Sequence, residues 1–188
     1  MPPFRPAFQR LAEASVPWAA ALVMISIALL AWSAQVSIPV QPVPITLQSY
    51  VLLTLAALMG WRLGALVVLA YVALGLMGVP LFANGGSGWK ALTGSSAGFI
   101  AGFVVVTLGV GAAQQYWARL RPLPLLAALA GGHLVLMALG AGWIATKAGY
   151  SVAFEKAFLP FVPGAAVKSI TALATVIGVE RLAGTPRQ

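Results

Sequence analysis

Lys168 stands inside an otherwise apolar stretch, in the run Phe158-Leu159-Pro160-Phe161-Val162-Pro163-Gly164-Ala165-Ala166-Val167-Lys168. Pro163 suits the first turn of a helix, which places Lys168 one to two turns into a span. An ammonium at the centre of a membrane helix costs about 2.5–3.5 kcal/mol on insertion scales, so it must snorkel to the interface or find a partner. Glu180 lies about three turns further along the same helix, on ideal geometry, and Glu155 already has Lys156 beside it. A cation without an acid is what a pocket for an anion or a carbonyl group would contain. The structural alternative is a lysine that snorkels outward.

Two further stretches carry neutral polar groups between apolar runs. In Ile38-Pro39-Val40-Gln41-Pro42-Val43-Pro44-Ile45-Thr46-Leu47-Gln48 the prolines forbid a helix and favour a stiff extended segment. Thr46 then falls where a helix N-cap is expected, with Gln48 opening the next span. The segment reads either as a rigid connector or as a lid that aims Gln48 into a pocket. In Val79 to Lys90 the glycines permit close backbone approach, while Asn84 and Ser87 offer donors and acceptors. Trp89 is a candidate pocket wall, as is Trp32, and Lys90 is a second candidate cation. Gly98 and Gly102 form a small-residue spacing that suits helix packing. His133 reads as a buried hydrogen-bonding residue or a ligand contact.

The same inventory excludes much. The chain has no cysteine, one histidine and three acids, so thiolate sites and multi-carboxylate metal centres are out of reach. No Gly-Lys-Ser/Thr phosphate loop is present, so the chain carries no ATPase of its own, and no acid, base and nucleophile converge. The reading is a non-enzyme without a cofactor.

The elements that must position these groups follow from composition. Of the 188 residues, 61% are hydrophobic and 7% charged, with a formal net charge of +8. Such a chain is an all-α integral membrane protein, with the lipid bilayer rather than a nucleic acid as its surroundings. Cutting it at charges and Pro/Gly clusters leaves six spans in one membrane domain (1–188), at about 17–36, 46–59, 63–79, 97–117, 123–144 and 163–182. Arg5 and Arg10 before the first run admit a secretory signal, but the run is too long and lacks a small-residue cleavage pattern. With the N-terminus inside, Arg5, Arg10, Arg62, Arg119, Arg121, Arg181 and Arg187 face the cytoplasm, and Lys90, Lys147 and Lys156 lie opposite. That distribution puts both termini on the cytoplasmic side of the inner membrane.

Several of these stretches together resemble the BioY family, the biotin-binding S components of energy-coupling factor transporters. Pro42-Val43-Pro44-Ile45-Thr46-Leu47-Gln48 is similar to the signature that opens the family's second helix. Gly60-Trp61-Arg62-Leu63-Gly64-Ala65 and Gly78-Val79-Pro80-Leu81-Phe82-Ala83 follow in order. Gly94 to Gly102 resembles the family's Gly-Pro-Thr-Gly-Gly-Tyr region, and Leu159 to Lys168 its Leu-Pro-Phe-x-x-Gly-Asp-x-x-Lys. Two departures stand out: Ala165 replaces the family Asp, and Ser95-Ser96-Ala97 replaces Pro-Thr-Gly.

The resemblance implies a six-helix S-component fold that captures biotin from the outside, beneath the loop between the first two helices. It implies docking on a transmembrane T component driven by two ATPase subunits, which would hydrolyse the ATP. Gln48, Asn84 and Lys168 are the expected polar contacts, with Lys90, Thr46 and Trp89 as further members of the site. The departure at Ala165 keeps another small vitamin open as the ligand. A solitary homo-oligomer transporting without ATPase partners is the remaining alternative.

Overall fold

The computed structural model describes residues 3–184, so Arg187 lies outside the described residues. A short amphipathic helix, α1 (Ala7–Ala14), precedes the first long helix, α2 (Val16–Gln35). Ser15 caps α2 by accepting from the Trp18 amide at 3.5 Å, and Pro17 in the first turn needs no amide there. A two-residue ladder, β1 (Ser37–Ile38) with β2 (Ile45–Thr46), then leads into α3 (Gln48–Leu76). After a 3-10 turn at Ala83–Gly85 and the single turn α4 (Lys90–Thr93) come α5 (Ala97–Ala113) and α6 (Pro122–Ala148). The last elements are the one-turn α7 (Tyr150–Ala153) and α8 (Phe161–Leu182). Gln114–Ala118 and Phe154–Phe158 adopt wider π-helical turns.

Among the described residues, five helical segments are long and apolar enough to cross a membrane. They match the expected spans, with one difference. The second and third expected spans form the single element α3, 29 residues long, which is broken at Gly60 by φ 70° and ψ 176°. Only glycine adopts that conformation without strain. The amide of Trp61, freed by the break, donates instead to Gln115 Oε1 at 3.2 Å. A side chain from the π-helical turn after α5 thereby satisfies the backbone group that the break releases.

Boundaries shift elsewhere for local reasons. Thr46 is not the N-cap of α3: it pairs with Ser37 in the ladder, and the cap position is held by Leu47 without a side-chain hydrogen bond. The prolines do exclude a helix, and the segment forms a short hairpin rather than an unpaired strap. At its C-terminal end α6 runs on to Ala148, so Lys147 belongs to its last turn, where it donates to the Thr93 carbonyl and lies 4.9 Å from the Trp143 ring centroid.

The core sits between α3, α5 and α6, where Leu53, Met59, Val67, Leu125 and Leu129 are fully buried. Small residues let α5 and α6 approach. A Cβ on Gly98 would come within 2.4 Å of the Leu139 carbonyl, and one on Gly140 within 2.2 Å of the Phe99 ring. The spacing at Gly98 and Gly102 is therefore a packing seam.

Charge is divided between the two ends of the bundle. At one end Glu180, 1% exposed, accepts from the Ala7 amide at 2.7 Å and lies 3.6 Å from Arg10. This fastens α1 across the ends of the long helices, where Gln115 also bonds Gln9 at 2.6 Å. At the other end lie the hairpin, Lys90, Lys147 and an opening that carries both polar and aromatic lining.

Candidate functional site

A cavity of about 680 Å3, mouth included, lies beneath the hairpin. Val43 and Pro44 of the hairpin loop are among its lining residues, so the proline-rich segment borders the cavity as well as connecting α2 to α3. Phe99 and Phe161 form a stacked pair in its wall, centroids 5.8 Å apart and planes inclined by 22°. Ile100, Phe103, Leu136 and Met137 complete an apolar body.

Three polar groups converge on this apolar space. Lys168, two turns into α8, donates to the Thr46 carbonyl at 2.6 Å and to Ser49 Oγ at 3.1 Å. Both acceptors are neutral, and the cavity's lining residues include no carboxylate. The Lys168 side chain thus ties α8 to the start of α3 beside the opening.

Gln48 occupies the first turn of α3 and is buried. Its Nε2 donates to the Tyr71 hydroxyl at 2.8 Å, and that hydroxyl donates to the Leu81 carbonyl at 2.7 Å. Since the Leu81 oxygen can only accept, the Tyr71 proton is committed to it and the amide must present N–H to Tyr71. Gln48 Oε1 is left as an acceptor on a residue that lines the cavity.

The third group is His133, near the middle of α6. Its Nδ1 lies 3.1 Å from the Leu129 carbonyl and 2.9 Å from Ser169 Oγ.

Of the residues expected from sequence, Thr46, Gln48 and Lys168 are brought together on the cavity. Asn84, Trp89 and Lys90 are exposed and are not among its lining residues. Asn84 sits in the left-handed region at φ 57°, in a turn held by Gln35, which donates to the Phe82 carbonyl at 3.0 Å and accepts from the Gly85 amide at 3.1 Å. Phe82 and Ala83 of that turn do line the cavity. Trp32 is 58% exposed and takes no part in it. Ser49, Phe99 and Phe161 line the site without having been singled out as ligand contacts. Phe99 directly follows the Gly98 packing position, and Phe161 lies in the proline-rich entry to α8, but a phenylalanine in an apolar chain has nothing to distinguish it.

A bundle of apolar helices around a pocket, with a partly buried lysine and oriented neutral groups at one end, has the make-up of a membrane-embedded small-molecule-binding protein. The chain belongs to the BioY family, whose model matches residues 9–185. It is 35% identical over 163 residues to a probable biotin transporter BioY of Pyrococcus horikoshii, covering 87% of this chain and 94% of that protein. It is 30% identical over 161 residues to the biotin transporter BioY2 of Lactococcus lactis subsp. cremoris, covering 84% and 86%. Its fold is that of the S-component for biotin from an ECF-type ABC transporter, with a TM-score of 0.78 and 22% identity over 87% of this chain and 90% of that one.

Proposed function

We propose that this chain is the S component of an energy-coupling factor transporter and that its cavity captures biotin from the outer side of the cytoplasmic membrane. The observation that carries this reading is Lys168, an ammonium without a carboxylate partner at the edge of a pocket that also presents Gln48 Oε1. Biotin combines a ureido head that needs neutral donors and acceptors, an apolar thiophane and valerate body, and a carboxylate that needs a cation. Mixed pockets of this kind are typical of small-molecule sites. Thr46, Gln48 and Lys168 are the ligand contacts in this proposal, and Asn84, Trp89 and Lys90 belong to the rim of the entrance.

In the same reading α3 counts as two spans meeting at Gly60, giving six spans and cytoplasmic termini. The clustering of arginines near α1 and of lysines near the cavity supports that orientation. The BioY relatives and the S-component fold support the family's mode of action, in which a T component and two ATPase subunits supply the energy.

Isothermal titration of the purified chain with biotin tests the first claim. Binding tighter than micromolar is expected, and an affinity weaker than about 1 μM, roughly −8 kcal/mol, overturns it. For the partners, uptake should require coexpressed T and ATPase components. Uptake in a host lacking both overturns that part.

A further inference from the structure

His133 is 3% exposed and lines the cavity, yet its Nε2 has no hydrogen-bond partner. Its other nitrogen is fully engaged. Leu129 O, 3.1 Å from Nδ1, can only accept, so that contact requires a hydrogen on Nδ1. Ser169 Oγ, 2.9 Å from the same nitrogen, donates its own proton to the Ala165 carbonyl at 2.8 Å and therefore accepts as well. In the neutral ring these contacts fix one tautomer, with the hydrogen on Nδ1 and a bare acceptor at Nε2. Two helices hold the ring: α6 through Leu129 and α8 through Ser169.

A buried acceptor held rigidly without a donor is uncommon, because the desolvation it suffers is normally offset by a hydrogen bond. The described residues supply no donor to it, and the cavity is the open space that the ring borders. We propose that His133 Nε2 accepts a hydrogen bond from a ureido N–H of the bound ligand, so that His133 is a specificity-determining residue of the site. Gln48 Oε1, on the opposite element α3, accepts from the other N–H, and the two acceptors together select a head group with two donors. Ser169 acts through His133 as a positioning residue. This inference rests on biotin being the ligand.

The experiment compares biotin with its two carbamate analogues, each having one ureido N–H replaced by ring oxygen, on the wild-type chain and on His133→Phe and His133→Leu. Both substitutions remove the acceptor while keeping apolar bulk, and a folded protein from either one suffices, checked by its thermal unfolding midpoint. Wild type should bind one of the analogues about tenfold to a hundredfold more weakly than biotin through His133. The variants should lose a similar factor for biotin and bind that analogue no more weakly than biotin. Variants that bind biotin as tightly as wild type, or that discriminate both analogues as wild type does, overturn the assignment. A wild-type chain that binds no biotin overturns instead the function on which it rests.

Discussion

Gln48 and Tyr71 form a directed pair: the Gln48 amide donates to the Tyr71 hydroxyl at 2.8 Å, and the proton of that hydroxyl is spent on Leu81. The phenol touches the cavity only through Gln48, yet it decides which end of the amide the ligand meets. Tyr71→Phe is expected to leave the fold intact and to weaken biotin binding by about threefold to tenfold. Gln48→Ala, which deletes the acceptor itself, should cost more. Calorimetric titration of both variants checks the order of the two effects.

Lys168→Met keeps the apolar stem and removes the charge. Biotin affinity is expected to fall by at least about tenfold, in line with hydrogen bonds to charged groups being worth roughly 1.5–3 kcal/mol. The same substitution releases the Thr46 carbonyl and Ser49, so hydrogen exchange at residues 44–49 should rise in the absence of ligand. Unchanged affinity would remove Lys168 from the site.

Gly60→Ala places a side chain at φ 70° and a Cβ 2.6 Å from Gln115. The expected result is a loss of stability of about 1–3 kcal/mol, seen as a lower unfolding midpoint in detergent. Gln115→Ala should cost about 1 kcal/mol by stranding the Trp61 amide. In the double variant the steric part of the Gly60→Ala cost is relieved while the backbone strain stays, so its loss should be smaller than the sum of the two single-variant losses.

Glu180→Ala removes the buried carboxylate that holds the Ala7 amide and faces Arg10. Limited proteolysis should then cut within residues 5–15 much faster than in wild type, with biotin binding at the far end retained. Equal cleavage rates would mean that α1 is held without Glu180, by the buried Ala7, the preceding Phe4 and the Gln9–Gln115 hydrogen bond.

Much of this architecture could be read from the chain because breakers and charges are sparse against an apolar background. The cut at Gly60-Trp61-Arg62 fell where the backbone does turn, although the helix resumes at once and no loop intervenes. Lys168 was conspicuous as a cation inside a span, and Gln48 as the polar residue after a proline-rich run. The partners of both were invisible, because a backbone carbonyl such as that of Thr46 carries no sequence signature. Thr46 has the local sequence of a cap, but cross-strand pairing with Ser37 competes with capping and the local sequence does not tell them apart. His133 showed its type and its depth but not its tautomer, which depends on Ser169, 36 residues away on another helix. The small residues at Gly98 and Gly102 were legible as a seam, because close helix approach leaves few other residue types possible.

An ammonium has three hydrogens, and Lys168 has committed two of them to the hairpin end of α3, at Thr46 and Ser49. One remains. A ligand that offers a single oxygen can be received without unfastening the hairpin, whereas one that engages two must take a hydrogen back from Thr46 or Ser49. The valence of one side chain thus links how a ligand is gripped to whether the hairpin stays latched.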